Sequence, residues 1–122
     1  MVDQDIPTRK FQKEMNSGTA SLVLLSVLSQ SKKPMYGYQI AKLLEGKRQG
    51  APAMKQGALY PVLRSLEKNS LLSSNVEPSV SGPPRRYYTI TDEGSETLSN
   101  WIQLWNQIKI FVDTILEGDS DD

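Results

Sequence analysis

Gly57-Ala58-Leu59-Tyr60-Pro61-Val62-Leu63-Arg64-Ser65-Leu66-Glu67-Lys68-Asn69 places Leu59, Val62, Leu63 and Leu66 at helical spacing. Arg64, Glu67 and Lys68 fall on the other side. The stretch reads as an amphipathic helix from about 57 to 69, with a core stripe and a mainly basic outer face. Proline is tolerated in a first helical turn, so Pro61 sets the start near Gly57 or Ala58.

Downstream, Leu71 to Glu77 is a short strand candidate. Pro78-Ser79-Val80-Ser81-Gly82-Pro83-Pro84 is a loop, stiffened by prolines and bent at glycine. Arg85-Arg86-Tyr87-Tyr88-Thr89-Ile90 is the clearest strand, rich in aromatic and β-branched residues. Arg86, Tyr88 and Ile90 share one face; Arg85, Tyr87 and Thr89 share the other. The two strands make a hairpin with a long tip. Thr91 is a good N-cap for a last helix, with Asp92 and Glu93 favouring its positive end. That helix runs to about Glu117 and stops at Gly118. At ~1.5 Å per residue it is about 39 Å long. Leu98, Trp101, Trp105, Ile108, Val112 and Ile115 alternate spacings of three and four, which is an a/d seam. A helix that long and apolar needs a partner, and the simplest is a second copy of the chain.

Upstream, Lys47 to Gln56 is polar, holds Gly50 and Pro52, and reads as a loop. A short helix is expected from Tyr36 to Glu45, burying Ile40, Leu43 and Leu44 and ended by Gly46. Pro34 keeps Lys33 out of helix, so residues 31–34 form a turn. A first helix is expected from about 8 to 30, with Phe11, Met15, Leu22 and Leu25 on one stripe and Leu24, Val27 and Leu28 widening it. Asn16-Ser17-Gly18 can break it, which would leave the first ten residues a loose arm. Residues 1–6 read as a disordered lead and 119–122 as an acidic tail.

The 122 residues contain no cysteine and no histidine. Disulfides, thiolate metal sites and cysteine nucleophiles are thereby excluded, as is any Ser-His-Asp triad. A carboxylate-metal enzyme or paired-carboxylate hydrolase survives as a class, but Asp92 and Glu93 are adjacent and most other acids sit at the termini. The chain is therefore expected not to be an enzyme and to need no metal or cofactor. No apolar run approaches the length of a membrane span and the N-terminus lacks a signal-peptide pattern, so a cytoplasmic protein with no membrane partner is expected. The formal net charge of zero hides a split. Residues 1–91 hold thirteen lysines and arginines against six acids, a balance of +7; residues 92–122 hold one lysine against eight acids, a balance of −7. Either the basic body meets nucleic acid or another anion, or the two segments pair within the fold.

The order helix, helix, helix, hairpin, long helix makes the fold class mainly α with a small β-hairpin. It is the layout of a winged helix-turn-helix with a long C-terminal dimerisation helix. Residues 1–91 form the DNA-binding domain with its N-terminal helix, 92–118 the dimerisation helix and 119–122 the tail. A third helix of this kind can enter the major groove, about 12 Å wide, while the hairpin wing lies along the backbone.

Three segments also resemble the PadR family of bacterial transcription regulators: Tyr36-Gly37-Tyr38-Gln39-Ile40, Gly57 to Glu67, and Gly82-Pro83-Pro84-Arg85-Arg86-Tyr87-Tyr88-Thr89-Ile90-Thr91-Asp92-Glu93-Gly94. They arrive in the family's order and cover about residues 20–116. The resemblance implies a homodimeric repressor on a palindromic operator, of the short subgroup with a single C-terminal helix. It implies a dimer built from the first and last helices, here Leu22, Leu25, Leu98, Trp101, Trp105, Ile108, Val112 and Ile115. Two segments depart from the family pattern. Residues 47–56 are unusually basic and can add backbone contacts, and Asn69-Ser70 stands where an acid and glycine are more usual, which can tighten or shift the turn into the wing.

The expected DNA contacts are Tyr36, Lys55, Gln56, Ala58, Tyr60, Arg64, Lys68, Arg85 and Arg86. Gln56 suits adenine, and Lys55 suits guanine or phosphate. Tyr60 either bonds phosphate, as the resemblance favours, or packs under the helix. Of the two tyrosines opening the second helix, Tyr38 is expected buried and Tyr36 at DNA. Trp101 and Trp105 are either ordinary interface packing or plates that stack a small aromatic effector; Trp105 resembles the position used that way in drug-responsive members, though Lys109 on the next turn does not suit a cationic drug. The alternative to a DNA-binding regulator is a winged-helix module that binds a protein partner, against which the basic body argues.

Overall fold

A computed structural model describes residues 6–47 and 56–118. Its elements in chain order are α1 (Ile6–Gln30), α2 (Gly37–Lys47), α3 (Gln56–Lys68), β1 (Leu72–Glu77), β2 (Arg85–Ile90) and α4 (Asp92–Glu117). The molecule is mainly helical with one two-stranded antiparallel hairpin, a winged helix carrying a long C-terminal helix. Leu24, Leu25 and Leu28 of α1 meet Ile40 of α2 and Leu59, Leu63 and Leu66 of α3. Leu71, Leu72 and Tyr88 close this core from the hairpin side, and Leu98 closes it from α4.

Helix α1 is continuous through Asn16-Ser17-Gly18. The Thr19 hydroxyl donates back to the Met15 carbonyl at 2.9 Å, and a helical glycine costs only about 1 kcal/mol. The helix begins at Ile6, a residue expected in the lead; residues 1–5 lie outside the described residues. At α2 the Tyr36 N–H donates to Gln39 Oε1 at 3.1 Å, half of a capping box. Gly46 does not end this helix, which reaches Lys47. Its inward face is narrower than expected: Ile40 is buried, but Leu43 is 37% exposed. The expected loop after Lys47 falls, from 48 to 55, outside the described residues.

Helix α3 starts at Gln56, one or two residues before the expected start, so Pro61 is its sixth residue and lies in the second turn. It removes the hydrogen bond to the Gly57 carbonyl. Gly57 and Ala58 are exposed, so water reaches that carbonyl. The helix ends in a Schellman turn: Leu71 N–H donates to Leu66 O at 2.9 Å and Ser70 N–H to Glu67 O at 2.9 Å. Ser70 takes the left-handed conformation with φ 67°.

The hairpin pairs Leu72 with Ile90 through to Glu77 with Arg85. Met35 adds a single bridge on the far side of β2, exchanging both backbone hydrogen bonds with Tyr88 at 3.1 and 2.8 Å. The wing is thus stitched to the segment that leads into α2. Thr91 caps α4, its hydroxyl accepting from Gly94 N at 2.9 Å and donating to Ser70 O at 2.7 Å. A Cβ at Gly94 would lie 2.1 Å from the Leu71 carbonyl, so α4 leaves the hairpin in backbone contact with the end of α3. Gly118, with φ 76°, ends α4 by donating to the Ile115 carbonyl. The acidic tail lies outside the described residues.

Candidate nucleic-acid interface

A groove of about 420 Å³ opens between the start of α2, the outer side of α3 and the wing. Each wall follows from a local rule. On α3, burial of Leu59, Leu63 and Leu66 turns Gly57, Pro61, Arg64, Ser65 and Lys68 outward. On β2, period-two alternation puts Arg86 on the face of Tyr88 and Arg85 on the other; Tyr88 is buried in the core, while both arginines, at the strand's start, are exposed. The wing tip turns at Gly82, whose φ of 105° suits glycine.

The α2 wall is aromatic. Tyr36 is half-buried, 5.2 Å from the Tyr87 ring in an edge contact and 6.4 Å from Tyr38. The Arg85 guanidinium sits 4.6 Å from the centre of the Tyr36 ring. That cation–π contact fixes the arginine with its charge still available. The expected burial of Tyr38 is not met: Tyr38 is 49% exposed, while Tyr36 is half-buried and lines the groove. The reason is the bridge from Met35 to Tyr88, which sets Tyr36 beside Tyr87 and swings Tyr38 outward toward Lys42, whose Nζ lies 5.9 Å from its ring.

Tyr60 packs under α2 and also lines the groove. A Cβ at Gly37 would meet its ring at 2.6 Å, so glycine is what lets α2 and α3 cross this closely. Arg86 faces the opposite side of β2 from Arg85. Its Nη1 donates to Ser74 Oγ at 2.9 Å, and Ser74 Oγ donates to Glu67 Oε2 at 2.7 Å. Below them, burial pushes the Tyr88 phenol above its usual value, and the Glu67 carboxylate adds to the rise against Arg86 and Arg64. Tyr88 is therefore a neutral core residue.

Of the expected contact residues, the fold gathers Tyr36, Tyr60, Arg64, Arg85 and Arg86 around this groove. Ala58 and Lys68 are exposed on α3, with Lys68 in its last turn. Lys55 lies outside the described residues; Gln56 is the first residue of α3. Glu67 and Ser74 were not expected to join the wing to α3. No signal in one sequence marks a pair bridged across the hairpin register.

A second surface is apolar. A cavity of about 690 Å³ lies between α1, the end of α2 and α4, lined by residues that include Leu22, Val27, Leu43, Leu44 and Trp105. A smaller one of about 280 Å³ is lined by Leu22, Trp101, Leu104, Trp105 and Ile108. Trp105, Ile108, Val112 and Ile115 are exposed along α4, and Trp101 is half-buried. Leu25, 0% exposed, and Leu98, 6%, are instead committed to the chain's own core. They offer no surface to a second subunit: Leu25 is on the side of α1 that faces the core, and the a/d seam of α4 is used internally for its first turns and freed only beyond Trp101. Among the described residues no three carboxylates gather as a metal site, and no helix is long and apolar enough to cross a membrane.

Residues 24–100 match the transcriptional regulator PadR-like family. A crystal structure of a PadR family transcriptional regulator from Eggerthella lenta is similar over 94% of this chain and 96% of that one, with 33% identity and a TM-score of 0.79. A PadR-like transcriptional regulator from Bacillus cereus superposes over 87% of this chain and 99% of its own at 31% identity, with a TM-score of 0.67. An uncharacterised protein from Lysinibacillus sphaericus is 30% identical over 98 residues, 80% of this chain and 87% of that protein.

Proposed function

The chain belongs to the PadR-like family of transcriptional regulators, and on that premise we propose that it is a cytoplasmic homodimeric repressor binding a palindromic operator in double-stranded DNA. The observation that carries this reading is the convergence of Arg64 from α3 with Arg85 and Arg86 from the wing on one groove. In the proposed complex α3 enters the major groove with Gly57 and Ala58 leading. Small residues there let the backbone approach base edges, and Arg64, about two turns further on, is placed for guanine or phosphate. Lys68, in the last turn of α3, is left to the phosphate rim. The wing then lies on the adjacent backbone, where Arg85 and Arg86 meet phosphate. A second copy doubles this footprint, and a two-fold dimer reads a palindrome. The subunits join through Leu22 of α1 and the exposed run from Trp105 to Ile115 of α4. A small aromatic effector would fit the cavity beside Trp101 and Trp105, where occupancy changes the angle between subunits.

The test is fluorescence anisotropy of a labelled duplex from the gene's own upstream region against a random duplex, at two salt concentrations. Selective binding that weakens steeply with salt is expected, because each phosphate contact releases a counterion. Arg64→Ala should weaken it by about tenfold or more. No selectivity here, followed by an empty selection from genomic fragments, would overturn the reading in favour of a protein-binding module.

A further inference from the structure

We infer that Glu67, an acidic residue on the recognition helix, is a positioning residue for DNA binding: through Ser74 it holds the wing's Arg86 toward the groove. This rests on the DNA-binding reading above and adds a role that charge alone would assign with the opposite sign.

The geometry is directional. Val76 pairs with Arg86 and Ser74 with Tyr88, so Ser74 and Arg86 are diagonal neighbours on the inward face of the hairpin. Ser74 has one hydroxyl proton. It goes to Glu67 Oε2 at 2.7 Å, which turns the oxygen's lone pairs toward Arg86 Nη1 at 2.9 Å. Glu67 and Ser74 are half-buried, whereas Arg86 is exposed and lines the groove. One of five guanidinium N–H groups is used in holding the side chain, and the others remain for phosphate. A free arginine loses rotamer freedom on binding; one already held loses less. The same relay ties the middle of β1 to the last turns of α3, so it also fixes how far the wing's charge stands from the helix that enters the groove.

A bare electrostatic account treats Glu67 as a repeller of phosphate, so removing it would tighten binding. Positioning predicts loss. The experiment measures operator affinity and its salt slope for Ser74→Ala, Glu67→Met, Glu67→Gln, Ser74→Thr and Arg86→Ala, singly and with each relay change added to Arg86→Ala. Thermal melts accompany every variant. Ser74→Ala and Glu67→Met should weaken binding by about fivefold and flatten the salt slope toward that of Arg86→Ala. Glu67→Gln keeps the acceptor and Ser74→Thr keeps the hydroxyl, so both should restore wild-type affinity. Neither Ser74→Ala nor Glu67→Met should weaken binding further once Arg86 is alanine. If Glu67→Met does not fold, Ser74→Ala carries the same test. Unchanged or tighter binding by Ser74→Ala, or a loss that persists without Arg86, overturns the positioning role while leaving the DNA reading intact. A wild-type protein that binds no operator overturns that reading first, and this inference with it.

Discussion

Ser70 is a non-glycine residue at φ 67°, in the position of a Schellman turn that glycine usually fills. An L-residue there carries strain of roughly 1–2 kcal/mol, part of which glycine returns through its greater freedom in the unfolded chain. Ser70→Gly should therefore stabilise the protein by about 0.5–1 kcal/mol, seen as a higher urea midpoint with unchanged slope. The departure at Asn69-Ser70 thus puts a serine at the left-handed position of the turn. Gly37 and Gly94 show the other side of residue-scale reading. Both stand in motifs that resemble a DNA-binding family, yet each is required by a neighbour: the Tyr60 ring at 2.6 Å from a Cβ at Gly37, and the Leu71 carbonyl at 2.1 Å from one at Gly94. Which atom stands opposite a missing Cβ is a tertiary fact, invisible in a single chain.

At the scale of elements, local chemistry was legible and partners were not. Thr91 reads as an N-cap because capping depends on the next three residues, and its hydroxyl does accept from Gly94 N. The same hydroxyl also donates to the Ser70 carbonyl, 21 residues back in the chain. Thr91→Ala should cost about 1–2 kcal/mol, more than an isolated cap at the low end of the range, while Thr91→Ser restores most of it. Unfolding in urea measures both; equal loss in the two variants would mean the hydroxyl contributes nothing and the methyl everything. The expected bounds of β2 were met because β-branched and aromatic residues cluster within a short run. Pro61 placed the start of α3 to within one or two residues, and its lost hydrogen bond is tolerable where small, solvated Gly57 lies four residues back. The bridge from Met35 had no pattern to reveal it: one extended residue between Pro34 and a helix has no period.

The whole molecule leaves α4 half-covered. Trp105, Ile108, Phe111, Val112 and Ile115 stand exposed, Ile115 at 62%, on a chain whose core is already closed by Leu98. Burying a large aliphatic side chain fully is worth roughly 1.5–3 kcal/mol, so several such residues on each of two copies are ample to hold a dimer. Ile108→Asp combined with Val112→Asp should give a monomer by sedimentation at micromolar concentration, with the fold kept. Operator affinity should fall by about a hundredfold or more, because two linked half-sites become two independent ones. An unchanged dimer would move the interface elsewhere. Element order, the two-stranded wing, the two caps of α4 and the basic outer side of α3 were legible along the chain, because periodicity, capping and strand alternation act within a few residues. Packing between elements assigned Leu25 and Leu98 to the core, held Tyr36 and left Tyr38 outside, and brought Glu67 to Arg86 through Ser74. Those outcomes depend on which elements cross and how closely, and burial and hydrogen bonding are settled between segments far apart in the chain.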